Sequence, residues 1–465
     1  MHSRISYDLA DDGFTVRING DSFKERFPSQ VWKDVPIDLK KAIVENFISV
    51  ATFSMPLMDD FEIIEYDFSE PLLESFFQIP ILNYIPVASG SMNKPYDDIK
   101  KLMNARRMYK DSDLDRIDYS IEPDDRVINF MTFGKDSLLS YAIAEELGLK
   151  PVAVYVEEPD IPYTEMRDGK IVEEKMYEKK HKNALINRFK EEFRTDIHLV
   201  DNGLGRIRYP EYYGKDGGDY GWATNLTEYS FLSIPFNHHF KARYILYGHE
   251  ASCSDQFIGE DGLVSYPVFE QSKKWTAETS KMIYLLTRSF ETMSLLEPIH
   301  EIAIIRILHK RYPQYGKYQM SCFADNNHAE HSRWCHHCSK CARMFVFMEA
   351  IGIDPKTVDF KEDMFAKEKE GLYSIFGFDG QEEIKLYDKS GLGEDEMLFA
   401  FYLAQKRGAK GYLIDKFRRE LLPQVEKRAE ELEKKFFGIH SFDTIPVHLR
   451  APLRKIYEEE FRKEL

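Results

Sequence analysis

The stretch VINFMTFGKDSLLSYAIAEELG (127–148) decides how the rest of the chain is read. It opens on an apolar run, passes through Thr132-Phe133-Gly134-Lys135-Asp136-Ser137, and continues with Leu139, Ala142, Ile143 and Leu147 before Gly148. Apolar residues three and four apart share one helix face, and glycine commonly stands just past a helix end. A second β-rich run, PVAVYV (151–156), follows at once. Strand, loop, helix and strand in this order form a unit of two parallel strands with a right-handed crossover. The expected fold class is therefore α/β, built on a parallel sheet.

Outward from this unit, DIHLVD (196–201) and RYILYG (243–248) are further strand candidates with helical stretches between them. The glycine- and tyrosine-rich segment 203–221 reads as a long ordered loop. Upstream, DGFTVRING (12–20) alternates like a strand and ends in Asn19-Gly20, a hairpin signal. DLKKAIVENFISVATFSM (38–55) has apolar residues at helical spacing, with Asp38 available as an N-cap. The charged run 94–125 reads as a connector. After residue 353 the composition turns helical and charged, with amphipathic candidates at 394–408 and 421–437. Three regions are expected: an α+β N-terminal domain (1–118), the α/β domain (119–352) and a helical C-terminal region (353–465).

Composition narrows the function classes. Hydrophobic residues at 43% and charged residues at 31% suit a globular protein that buries its own cores. A net charge of −16 argues against a broad nucleic-acid surface, which needs clustered Lys and Arg, though a local basic groove remains open. No apolar run reaches the roughly 18 residues of a membrane span, and the polar start MHSRISYDLADDGF is not a secretory signal. A cytoplasmic location is expected.

The loop 132–137 follows a strand and opens a helix, where unpaired N–H groups and the helix dipole favour an anion. Gly134-Lys135 invites a Walker reading, but that motif needs a glycine where Asn129 stands, inside the strand. A different phosphate loop fits the residue types. Thr132 and Ser137 supply hydroxyls, Gly134 permits close backbone approach, Lys135 adds positive charge, and Asp136 can reach a Mg²⁺ bridging phosphate oxygens. His249 and Glu250 follow the strand candidate 243–248 and can point into the same cleft, as a general base or metal-contacting pair.

Five cysteines do not make a disulfide framework in a chain of this size, and four of them lie within twenty residues. Cys335, Cys338 and Cys341 form a C-x2-C-x2-C run, with Cys322 thirteen residues before it. Four thiolates close a tetrahedral Zn²⁺ site of the structural kind; an iron–sulfur cluster is the rival. His336 and His337 read as neighbours of that site, and Cys253 as a buried small side chain. Trp275 with Lys273 and Lys274 is either a nucleotide contact or a surface group. Glu297 and Glu301 straddle Pro298 at a helix start, where acids favour the dipole. Arg306 pairs with phosphate or glutamate, and Arg333 and Trp334 pack against the cysteine block.

Thr132 to Ser137 resembles the Ser-Gly-Gly-x-Asp-Ser signature of the PP-loop, or N-type ATP pyrophosphatase, superfamily, with Thr for the first Ser and Phe133 for the first Gly. A PP-loop upstream of a C-x2-C-x2-C site is also the arrangement of the 7-cyano-7-deazaguanine synthases. Six blocks resemble successive parts of the UDP-N-acetylmuramoyl-L-alanyl-L-glutamate epimerase family: GKDSLLS (134–140), GHEASCSD (248–255), EQSKKW (270–275), LLEPIHEIAIIRIL (295–308), SCFADNNHAEHSRWCHHCSKCARMFVFMEAIG (321–352) and GLGEDEMLFAFYLA (391–404). The N-terminal hundred residues are similar only in outline, and His249-Glu250 stands where an Asn-Glu-Arg type run is usual.

The resemblance implies an adenine-nucleotide α-hydrolase-like core whose loop 132–137 binds ATP with Mg²⁺, and zinc on Cys322, Cys335, Cys338 and Cys341. It also implies an enzyme that adenylates the carboxylate of a small-molecule or peptide-nucleotide substrate and releases AMP and pyrophosphate. Activating a carboxylate removes its charge and makes the neighbouring α-proton accessible, so ATP use and epimerisation belong together. The alternatives are amide or nitrile formation on a deazapurine acid, nucleoside modification of tRNA, and a non-catalytic nucleotide-binding module.

Overall fold

The computed structural model describes residues 2–76, 95–111, 117–159, 163–167, 170–174, 176–215, 222, 224–258, 262–324, 326–377 and 391–462. Part of the loop expected at 203–221, namely 216–221, and residues 112–116 of the expected connector lie outside them.

The apolar runs become a parallel sheet. Strands β1 (His2–Ala10), β2 (Gly13–Ile18), β3 (Asp21–Arg26), β4 (Ile63–Tyr66) and β5 (Arg106–Met108) precede it in the chain. Strands β6 (Asp124–Phe130), β7 (Val152–Glu157), β10 (Ile197–Asn202), β11 (Ala242–Tyr247) and β14 (Glu291–Ser294) form its parallel part. Two short hairpins, β8–β9 (Tyr163–Arg167, Lys170–Glu174) and β12–β13 (Phe257–Ile258, Val264–Ser265), stand apart from it. The spatial order is β14-β11-β6-β7-β10, with every neighbouring pair parallel. From β6 the chain moves through β7 to β10, then returns to β11 and β14 on the other side. The strand order therefore reverses between β6 and β11, and in such sheets ligands bind in the crevice at the carboxyl ends on either side of that switch.

Both sheet faces are covered, which is why β6, β7 and β11 are apolar on consecutive positions rather than on alternate ones. Val127, Ala153, Tyr155, Tyr244 and Leu246 face a core shared with helices Lys135–Glu146, Glu178–Phe193, Glu301–Arg311 and Ser339–Ala350. Ile128, Val154, Val156 and Ile245 face the other core, shared with helices Ile37–Ala51, Asn225–Phe240 and Lys273–Thr287.

Residues between Val358 and Tyr373 and between Met397 and Tyr457 contribute to the first core, and β3 of the N-terminal region pairs antiparallel with β10, so one ten-stranded sheet crosses position 118. At that seam a Cβ on Gly203 would lie 2.6 Å from the Lys24 carbonyl oxygen, so the chain can pass β3 only with glycine there. The β2–β3 hairpin turns at Asn19 and Gly20, with φ of 52° and 104°, as the Asn-Gly pair predicts. Asp38 is not an N-cap: the helix begins at Ile37 after Pro36, and Asp38 sits in its first turn beside the dipole. The run at 94–125 is not a plain connector, since it contains helix Pro95–Asn104, β5 and the start of β6. The segment 421–437 forms two helices, Leu422–Glu426 and Ala429–Phe436. No helix among the described residues is long and apolar enough to cross a membrane.

Candidate functional site

Loop 131–134 leaves the carboxyl end of β6 and feeds helix Lys135–Glu146, with Gly134 as its N-cap. Gly134 has no side chain to cap this helix, and the Lys135 amide reaches Ser321 Oγ only at 3.4 Å. Two hydroxyls shape the turn. Thr132 Oγ1 lies 3.2 Å from Ser137 Oγ, which donates to the Gly134 carbonyl at 3.1 Å. Asn129 Nδ2 donates to the Ser137 carbonyl at 3.3 Å, tying strand to helix where a Walker loop would carry glycine.

Phe133 contributes no side chain to this turn. Its φ is +59°, uncommon for a bulky residue, and its ring is fully buried against Phe189 and Tyr318 with centroids 5.8 and 6.4 Å away. The ring is an anchor that turns the loop backbone, and only its main chain borders the cleft.

Lys135 also points inward. Its side chain is 5% exposed, and its ammonium lies 2.6 Å from Asp136 Oδ1, 3.0 Å from Glu301 Oε1 and 3.8 Å from Glu250 Oε2. Glu301 in turn meets Arg343 Nε at 3.0 Å. Both cations hold Glu301 below the ordinary carboxylate range despite its burial. Glu250 moves the opposite way: burial raises it well above the ordinary value, with Glu301, Asp136 and Glu396 adding to the effect. Its Oε2 is buried without a hydrogen-bond partner. Asp136 keeps 34% of its side chain exposed, and a Cβ on Gly248 would lie 2.4 Å from Asp136 Cβ. The glycine after β11 is thus what lets the β6 and β11 loops touch.

His249 adjoins this pair. Its ring stacks on Tyr247 at 4.6 Å, and Nδ1 is 2.7 Å from Thr276 Oγ1. The Thr276 hydroxyl gives its proton to the Ser272 carbonyl at 3.0 Å, so His249 Nδ1 is the donor of that pair. The lone pair is then on Nε2, which is buried and without a partner. Burial lowers the imidazole to about 3, keeping it uncharged at neutral pH.

Cys322, Cys335, Cys338 and Cys341 converge with their sulfurs within 4.8 Å of one another, all buried. Around a tetrahedral Zn²⁺ at ~2.3 Å, thiolate sulfurs lie about 3.8 Å apart. Cys335 and Cys341 are separated by 3.7 Å. Backbone amides of Ala324 and Cys335 donate to Cys322 Sγ at 3.3 Å, and those of His337 and Cys341 to Cys335 and Cys338 at 3.4 and 3.5 Å, which favours thiolates. The four cysteines could hold a metal ion such as zinc. Sulfurs this close suit one ion, whereas a four-iron cluster spreads its thiolates over separate irons. Arg333 and Trp334 both donate to the Val358 carbonyl, at 2.8 and 2.7 Å, and pack the block in place.

The remaining candidates fall to structural roles. Trp275 is 5% exposed and donates to Thr227 Oγ1 at 2.9 Å, so it is a core residue rather than a surface one. Glu297 accepts from Ser441 Oγ and the amides of Asp443 and Thr444 at 2.6, 2.6 and 2.8 Å, anchoring the C-terminal segment. Arg306 donates to the Glu460 carbonyl at 2.7 Å. Cys253 is buried, as expected.

Lys182 was hidden in the sequence within the charged run EKKHKNALINRFKEEF. It is 3% exposed and donates to the carbonyls of Thr132 and, at 3.1 Å, Met320. A shallow depression lined by Arg126, Tyr141, Lys150 and His198 lies at the amino ends of the strands, away from the loop. No protein-family model matches the chain, and no curated protein matches it.

Proposed function

We propose that this chain is an ATP-dependent enzyme of the PP-loop type that adenylates the carboxylate of a small-molecule or peptide-nucleotide substrate, releasing pyrophosphate. One observation carries the reading: loop 131–137 lies at the switch between β6 and β11, with an uncapped helix N-terminus and the half-open Asp136 carboxylate together there. Phosphates bind to the helix amides and to the hydroxyls of Thr132 and Ser137. Asp136 is the carboxylate suited to Mg²⁺, and Glu250, whose Oε2 has no hydrogen-bond partner, joins it once a cation offsets the burial that favours its protonated form. When bound, that ion supplies charge neutralisation to the phosphates.

Lys135 acts from below the site: buried among Asp136, Glu250 and Glu301, it balances their charge and orients Asp136. His249, uncharged with a free Nε2, accepts a hydrogen bond from the substrate rather than serving as a phosphate cation. The preferred overall reaction is epimerisation next to the activated carboxylate, of the UDP-N-acetylmuramoyl-L-alanyl-L-glutamate type. Zinc on the four cysteines is structural in this reading, and the enzyme works in the cytoplasm, where thiolates stay reduced.

Incubation with Mg·ATP and the muramoyl dipeptide nucleotide tests the proposal. AMP, pyrophosphate and solvent deuterium at the glutamate α-carbon are expected. ADP instead of AMP overturns the PP-loop reading. AMP without deuterium incorporation moves the reaction to amide or nitrile formation or to tRNA.

A further inference from the structure

The segment that delivers the first cysteine is also the segment that braces the loop. Met320 N donates to the Phe133 carbonyl at 2.7 Å, and Lys135 N approaches Ser321 Oγ at 3.4 Å. The buried Lys182 ammonium spans the two chains, donating to the Thr132 carbonyl on one side and the Met320 carbonyl on the other. Gln319 extends the brace, donating to Ser321 Oγ at 3.2 Å while accepting from His309 at 2.7 Å. Cys322 is the next residue along.

A second arm starts at the other end of the cysteine block. Cys338 caps helix Ser339–Ala350, accepting from Cys341 N, and two residues after Cys341 that helix presents Arg343 to Glu301. Glu301 then holds Lys135, the first residue of the loop's helix. The cysteine block therefore grips the loop at both ends: at 132–133 through Lys182 and Met320, and at Lys135 through Arg343 and Glu301.

The loop needs such a grip. Phe133 sits at φ +59°, a strained conformation for a bulky side chain that persists only where the surroundings over-determine it. Met320, donating to the Phe133 carbonyl, and Tyr318, packed on its ring, belong to the strip that leads into Cys322.

We propose that the cysteine block is the template for loop 132–135, with Lys182 as the positioning residue that transmits its shape. Lys182 touches no exposed surface and acts through the loop backbone. Holding the four cysteines on one ion fixes the strip 319–322, and that strip fixes the direction of the loop amides. The consequence for ATP rests on the proposed function; the consequence for the loop does not.

The test compares Lys182→Met, Lys182→Arg and Ser321→Ala with the wild-type chain. Three quantities are read: zinc content, hydrogen exchange of the peptide covering 131–138, and binding of inorganic pyrophosphate and ATP. A hydrogen bond from a charged donor stabilises by enough to change an equilibrium by about tenfold or more. Lys182→Met is therefore expected to keep its zinc and its global exchange pattern. Exchange in the loop should rise at least about tenfold, and pyrophosphate affinity should fall by a similar factor. Lys182→Arg, which keeps the donors, should recover part of both, and Ser321→Ala should show a smaller change of the same kind. Should Lys182→Met fail to fold, Ser321→Ala and Lys182→Arg decide the matter by the same two readouts. Wild-type loop exchange in the folded variants overturns the proposal. So does loop exchange that rises only together with global exchange. If the wild-type chain binds neither ATP nor pyrophosphate, the proposed function fails, and the exchange comparison still judges the template.

Discussion

Two buried cations stand beyond the carboxyl ends of β10 and β6, strands separated in the sheet by β7, and they are used differently. Arg208, 1% exposed, lies beyond β10, 2.7 Å from Glu158 and also paired with Glu228. Tyr229 and Asn202 donate to Glu158 at 2.5 and 2.9 Å, and Thr224 donates to Glu228 at 2.9 Å. The carboxylates of that cluster are closed off by the protein itself, and it sits at the seam where β3 joins the sheet. Lys135, beyond β6, is nearly as buried, but its carboxylates are not closed off. Asp136 is partly open to solvent, and Glu250 Oε2 has no hydrogen-bond partner. A buried cation whose paired carboxylates have every oxygen taken up, as Glu158 and Glu228 do, is a lock, and one whose carboxylates keep an oxygen open is a site.

The comparison breaks first at Arg208. Arg208→Met leaves Glu158 and Glu228 without their cation and is expected to destabilise the chain by about 3–5 kcal/mol, read from denaturant unfolding. AMP formation per folded molecule should be little changed; a large loss of activity at full stability would make the seam part of the site. Asp136→Asn is the reciprocal change. It should cut AMP formation by roughly a hundredfold or more while leaving the unfolding midpoint close to wild type. Activity within a few-fold of wild type would remove Asp136 from the site.

A pH scan sharpens the contrast. His249 titrates near 6.5 when unfolded and about 3 when folded, because burial opposes its charge. Below pH 6.5 the unfolded chain binds the extra proton, so this contribution to stability is complete above 6.5 and declines as pH falls toward 3. The slope is at most about 1.4 kcal/mol per pH unit. His249→Gln should flatten the stability profile between pH 6.5 and 5. Glu25 acts in the opposite sense. Burial raises it well above 4.5, so the folded chain holds a proton that the unfolded chain releases, and stability falls as pH rises through that interval. Its Oε1 accepts from Leu204 N at 2.7 Å while Oε2 has no partner. Glu25→Gln should be neutral near pH 5 and stabilising near pH 8. A loss of stability at pH 8 would show that Glu25 is ionised at the seam.

Strands β6, β7 and β11 were legible because apolar residues on consecutive positions mean burial on both faces, and that needs no knowledge of partners. The strand Glu291–Ser294 was not: ETMS has neither alternation nor an apolar run, and only pairing with β11 makes it a strand. Glu297 and Glu301 looked alike around Pro298, yet one binds the C-terminal segment and the other binds Lys135. Lys182 was invisible for a related reason. In a run of charged residues a lysine reads as solvated, and only the packing of its helix over the loop removes it from water.

What is local can be read from residue order: the strand–loop–helix unit at 127–148, the Asn-Gly hairpin, and four cysteines at ligand spacing. These follow from periodicity, from turn stereochemistry and from the short reach of neighbouring side chains. Tertiary structure alone decided which charged groups lost their water and which carboxylates remained to be satisfied. Lys135, Lys182 and Arg208 are all lysines or arginines in polar surroundings until the chain folds. Burial and the number of carboxylates brought around each then divide them into a cation beneath a site, a brace and a lock. It was also tertiary structure that joined the loop to the cysteine block, since Lys182 and Arg343 reach it only through contacts distant in sequence.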